Sequence, residues 1–191
     1  MKFFNKKINK KILSIDSLIK KLSLVKKNKI VALCHGTFDI VHPGHLRHLT
    51  YSKQKSDILI ASITADKYVT KKSEGPFVPD HLRAFNLASL ELVDFVVIDY
   101  NVTPLSLLSK LKPNYYVKGF EYNKNNIHPK TREEIKVLNK YGGEVLFSPG
   151  DVVYSSTAIQ NIGKPNLKYE KLISLMKFEK ISFLDLIKTV K

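Results

Sequence analysis

Apolar positions along the chain follow two alternating patterns. Within residues 14–29, Leu18, Ile19, Leu22 and Val25 recur at helical spacing, with Asp16 or Ser17 placed to cap the start, so an amphipathic helix is predicted there. Residues 30–34 are apolar at every position, which predicts a buried strand. The alternation then continues, with helix predicted over 43–53, strand over 57–64, and a short helix over 66–69 that fails into the loop "KKSEGPFVPD". Helix follows over 80–92, strand over 94–99, helix over 104–111 and strand over 114–119. The series closes with helix over 131–141, strand over 143–148 and helix over 155–162, after which 167–190 reads as helix with an apolar stripe.

Strand and helix thus alternate about five times at the spacing of right-handed crossovers. The strands are apolar throughout, as in a parallel sheet covered on both faces. The predicted fold is a doubly wound, Rossmann-like parallel α/β sheet with helical extensions at both ends. The predicted organisation is a basic N-terminal extension (1–28), one catalytic-sized domain (29–163) and a C-terminal tail (164–191). Ligands of such sheets sit beyond the carboxyl ends of the strands, so the turn after the first strand is the first place to look.

Composition narrows the function classes. A chain of 191 residues with 43% hydrophobic content suits one main core. No apolar run approaches the roughly 18–20 residues of a membrane span, and the basic start "MKFFNKKINKK" lacks the apolar core of a signal peptide. With Cys34 the single cysteine, inside an apolar run, the expected compartment is the cytoplasm. The net charge of +15 raises nucleic acid as a partner, but only Arg47, Arg83 and Arg132 are arginines and the lysines are dispersed. Base-specific readers lean on arginine, so no specific nucleic acid and no membrane is expected.

The turn itself, "HGTFDIVHPGH", holds three of the six histidines. Gly36 lets backbone approach a ligand, Thr37 offers a hydroxyl and Phe38 is an apolar plug. His42 and His45 flank Pro43-Gly44 where a helix starts, and such a start favours an anion. Zinc would need further ligands, and neither a cysteine partner nor an HExxH pattern is present, so no metal ligands are assigned. Phosphate chemistry fits the strand, glycines, helix start and imidazole donors together.

"GTFDIVHPGH" resembles the signature of nucleotidyltransferases with an HxGH motif, which include glycerol-3-phosphate and phosphocholine cytidylyltransferases and several adenylyltransferases. "YSSTAI", at 154–159, is similar to that family's carboxy-terminal phosphate-binding element. "ASLELVDFVVID", "LKPNYYVKGFEY" and "YGGEVLFSPG" look most like the adenylyltransferase half of ADP-heptose synthase, whereas Thr37 is shared with the cytidylyltransferase branch. The resemblance implies attack of an acceptor phosphate on the α-phosphorus of a nucleoside triphosphate that carries Mg2+, with loss of pyrophosphate. ATP and a heptose-1-phosphate-like acceptor are favoured. CTP with a small phosphorylated alcohol or phosphonate is the alternative, and a non-catalytic nucleotide or RNA binder is the alternative of another class.

The resemblance also implies residue roles. His42 and His45 would meet the α- and β-phosphates. Lys71 or Lys72 matches the triphosphate-binding lysine, with solvated charge as the plain alternative. Arg83 matches a helix arginine that would clamp phosphate, the alternative being a salt bridge. Gly36, Thr37, Phe38, Gly44, Lys118, Gly119, Ser155, Ser156 and Thr157 would bind the nucleotide. Asp39, Glu121 and Tyr122 are expected on the acceptor side, Asp39 otherwise orienting a histidine or capping a helix. Dimerisation is common among these enzymes, and a homodimer is compatible with the pattern.

Overall fold

A computed structural model describes residues 6–69, 75–119, 129–149 and 176. Five strands form one parallel sheet: β1 (Val31–Gly36), β2 (Ile58–Thr64), β3 (Phe95–Asp99), β4 (Tyr115–Lys118) and β5 (Glu144–Phe147), in the order β3-β2-β1-β4-β5. The order reverses beside β1, whose two neighbours are β2 and β4, so the crevice that such sheets use for ligands opens there. Helices cover both faces. α3 (Pro43–Gln54) and α4 (Asp80–Ala88) pack Leu49, Ala84 and Leu87 on Ala32, Cys34, Ala61 and Ile63. α2 (Ile15–Val25), α5 (Leu105–Leu111) and α6 (Pro129–Asn139) pack Leu18, Leu107 and Leu138 on Val31, Leu33 and Ile60. Both faces of the central strands are buried, which is why their sequences are apolar at consecutive positions.

The first helix and its surroundings belong to this core. Leu18 and Leu22 are buried, and the chain before them runs along the outer edge of β3. Leu13 N donates to Val96 O at 2.9 Å and Val96 N to Lys11 O at 2.9 Å, and Lys11 Nζ reaches Leu90 O and Val93 O. A sheet edge that would otherwise expose unpaired backbone is covered in this way. A one-turn helix, α1 (Lys6–Asn9), precedes it and was not predicted.

Three boundaries differ from expectation for local reasons. Ser14, not Asp16 or Ser17, caps α2, its side chain accepting from Ser17 N at 3.2 Å; a serine at this position is a strong cap. α4 stops at Ala88 rather than 92, where Ser89 Oγ turns back onto Phe85 O. α6 starts at Pro129, because proline is at ease in a first helical turn. The predicted short helix after β2 is a 3-10 turn over Asp66–Tyr68. The predicted helices over 155–162 and 167–190 lie outside the described residues, Met176 apart.

Candidate functional site

The loop after β1 is built around Phe38. Its ring is buried in the core, and its backbone sits at φ +49°, a conformation most side chains avoid. Burial of the ring offsets that cost, and Arg83 holds the preceding residue by donating to the Thr37 carbonyl. The nearest neighbours of the place where a Cβ on Gly36 would stand are atoms of the Phe38 ring, the first at 3.4 Å. Asp39 is buried, and its Oδ1 accepts from Val78 N at 2.9 Å. It therefore ties this loop to the segment before α4; α3 is capped by another residue.

That residue is His42. Its side chain is the N-cap of α3, with Nδ1 accepting from Gly44 N at 3.2 Å, and Pro43 occupies the first turn. His45 lies one turn on, stacked on His42 with ring centroids 3.8 Å apart, and its other side meets the Phe38 ring at 5.0 Å. His45 Nδ1 is bonded to the Ile40 carbonyl at 3.1 Å. Burial lowers the pKa of both. His45 is pushed down to about 4, chiefly by desolvation and then by His42, against an upward pull from the Ile40 hydrogen bond, with a lesser lowering from His48. The predicted pair is thus brought together at a helix N-terminus beyond the central strand.

A third histidine on the same helix face went unrecognised in the sequence. His48 Nδ1 meets Ser148 Oγ at 2.9 Å, just after β5, and burial lowers its pKa to about 4. The spacing of three from His45 was the available signal. His35, at the end of β1, is held between the Ser62 and Thr64 hydroxyls at 3.0 and 3.4 Å. Burial, followed by the nearby Lys118 charge, brings it to about 4 as well.

Arg83 makes the salt bridge that was the alternative expectation for it. It is fully buried, and its guanidinium donates to Val78 O at 2.8 Å, to Thr37 O, to Thr64 O at 2.8 Å and to Asp66 Oδ1 at 2.6 Å. With those bonds made inside the protein it is a staple joining three loops at the carboxyl edge. Lys118 lies at the end of β4 as expected, but its ammonium is paired with Glu134 of α6, itself buried and also reached by Tyr116 OH at 3.3 Å. Glu134 was not singled out from the sequence. Lys71, Glu121, Tyr122, Ser155, Ser156 and Thr157 lie outside the described residues. Among the described residues no group of three or more His, Cys, Asp or Glu side chains is arranged to hold a metal ion, and no helix is long and apolar enough to cross a membrane.

Residues 33–162 match the family model described as cytidylyltransferase-like. The chain is 38% identical over 135 residues to the bifunctional protein HldE of Helicobacter hepaticus, covering 69% of this chain and 28% of that protein. It is 43% identical over 126 residues to the bifunctional protein HldE of Campylobacter jejuni subsp. doylei, covering 64% of this chain and 27% of that protein. It therefore spans under a third of the length of these relatives. Among solved structures, a lipopolysaccharide core biosynthesis protein from Thermoplasma volcanium superposes with a TM-score of 0.55 at 21% identity, over 67% of this chain and all of that one. Pantothenate synthetase from Thermus thermophilus gives 0.55 at 14% identity, over 87% and 71%. Both share the fold.

Proposed function

The chain belongs to the cytidylyltransferase-like family of nucleotidyltransferases, and from that premise we propose that it transfers AMP from ATP to a sugar 1-phosphate of the heptose class, releasing pyrophosphate. The observation that carries the reading is the stacked His42–His45 pair at the start of α3, beyond the carboxyl end of the central strand. The positive end of a helix and two imidazoles there suit a polyphosphate. The sugar acceptor draws on the identity to the two HldE proteins.

In this reading an oxygen of the acceptor phosphate forms a bond to the α-phosphorus. The bond from that phosphorus to the β-phosphate's bridging oxygen breaks, and its electron pair leaves with pyrophosphate. The acceptor oxygen is already ionised near neutral pH, so the protein has mainly to align two polyanions and neutralise growing charge. His42 and His45 would do so at the α- and β-phosphates, with Lys71, Ser155, Ser156 and Thr157 on the remaining phosphates and Glu121 and Tyr122 towards the acceptor. Mg2+ enters on the triphosphate as part of the substrate.

Thr37, resembling the cytidylyltransferase branch, favours a second reading with CTP and a small phosphorylated alcohol. Pyrophosphate release from ATP or CTP, measured against sugar 1-phosphates and small alcohol phosphates, separates the two. ATP with a sugar 1-phosphate is the expected pair. CTP with glycerol 3-phosphate would move the assignment, and no release with any pair would leave a nucleotide binder without this chemistry.

A further inference from the structure

Hydrogen bonding makes the two histidines of the HxGH turn unlike one another. At His42, Nδ1 accepts from the Gly44 N–H, and a backbone N–H can only donate. Nδ1 is therefore bare, and the neutral ring carries its proton on Nε2. At His45, Nδ1 meets the Ile40 carbonyl, which can only accept. Here Nδ1 carries the proton and Nε2 of the neutral ring is bare. His42 can donate to a phosphate oxygen as it stands, whereas His45 would turn a lone pair towards it.

Resting on the proposed triphosphate site, we infer that His45 takes up a proton when the triphosphate binds, and so becomes the charged donor of the pair while His42 remains the neutral one. The surroundings keep His45 neutral until then. Its ring faces His42, Phe38 and, one turn on, His48. The strands beneath α3 present Ala32, Cys34, Ala61 and Ile63 on that side. Of these only Cys34 titrates, and burial raises its thiol to about 12. The nearest carboxylate in the loop, Asp39, takes the Val78 N–H. Burial accordingly holds the free imidazole down at about 4, and a polyanion at Nε2 acts in the opposite direction. Stacking against His42 opposes charging both rings, so one proton is expected and not two.

Binding that consumes a proton tightens as pH falls. Between the free and bound pKa values of His45 the dissociation constant should fall up to about tenfold per pH unit, the limit for one linked proton. Calorimetric titration of the full chain with Mg-ATP at pH 7.5, in buffers of different ionisation enthalpy, reads the proton directly. Uptake approaching one proton per bound triphosphate is expected in the wild type and none in His45→Gln, whose amide is a permanent neutral donor. Imidazole nitrogen shifts measured by NMR on the wild type supply a second reading that needs no variant. They should show an Nε2–H ring at His42, an Nδ1–H ring at His45, and an imidazolium at His45 only with Mg-ATP present. Binding with buffer-independent enthalpy, or uptake that persists in His45→Gln, would overturn the inference while leaving the triphosphate site standing. Failure of Mg-ATP and Mg-CTP to bind at all would refute the site and the inference together.

Discussion

His48 and Ser148 stand 100 residues apart in sequence and 2.9 Å apart in space, His48 Nδ1 against Ser148 Oγ. The serine hydroxyl also donates to Lys118 O at 3.3 Å, so it accepts from the imidazole. The helix that carries His42 and His45 is thereby joined to the end of β5, from which the chain runs on towards Ser155.

Removing one member of this pair should cost more than removing both. Ser148→Ala leaves a buried imidazole N–H without its acceptor, a loss of about 1–3 kcal/mol. The double variant Ser148→Ala, His48→Leu replaces both partners by apolar groups. Thermal unfolding of the two single variants and the double should show that their effects do not add. Strict additivity would mean the contact contributes no coupling.

Arg83 should behave as a structural residue. Arg83→Met leaves three carbonyls and the part-exposed Asp66 without their donor, and each buried acceptor so stranded costs about 1–3 kcal/mol. We expect a large fall in melting temperature, with Mg-ATP affinity of the remaining folded protein changed little. Normal stability with abolished triphosphate binding would restore the phosphate-clamp role.

Much of this arrangement was legible in the sequence. The apolar runs marked the strands, most plainly β1 and β2, which are buried on both faces, and the histidine turn could be placed because a glycine, a helix-starting proline and paired imidazoles follow the first of them. The partners of Arg83 were not legible. Three of its four acceptors are backbone carbonyls, which every residue possesses. Glu134 was hidden for a related reason: it meets Lys118 only because α6 packs beside β4, 16 positions along the chain. His48 was the accessible miss, since it repeats the three-residue step from His42 to His45.

Lys118 and Glu134 form a buried pair, so Glu134→Gln should be worse than a well-packed apolar replacement of both. The single change strands an ammonium in the core and costs about 3–5 kcal/mol. Lys118→Met with Glu134→Leu removes both charges and takes the Glu134 acceptor from Tyr116 OH. Denaturant unfolding should rank the double variant above Glu134→Gln. If the double variant folds yet loses Mg-ATP binding, Lys118 serves the nucleotide as well as the core.

His42→Ala and His45→Ala should lower turnover far more than they weaken triphosphate binding. Donors aimed at charge that grows in the transition state are worth about 10²–10³-fold in rate, whereas their ground-state contacts count for less. Steady-state kinetics on the productive triphosphate and acceptor pair separate the two. A raised KM with kcat intact would make the imidazoles binding groups alone.

Stability should fall with acid earlier than carboxylate titration alone would bring about. His35, His45 and His48 are each held by burial at about 4, against an ordinary 6.5. Between those values the unfolded chain binds protons that the folded chain excludes, so folding free energy is complete above pH 6.5 and drains away as pH falls towards 4. Asp99 acts in the opposite sense, its carboxyl raised by burial from an ordinary 3.8. The diagnostic interval is therefore about pH 6.5 to 5, above the usual carboxylate range. Melting temperature measured across it should decline steadily in the wild type and less steeply in His48→Leu, which removes one of the three groups. A flat profile through that interval would mean that these imidazoles titrate normally in the folded protein and are not held neutral by burial.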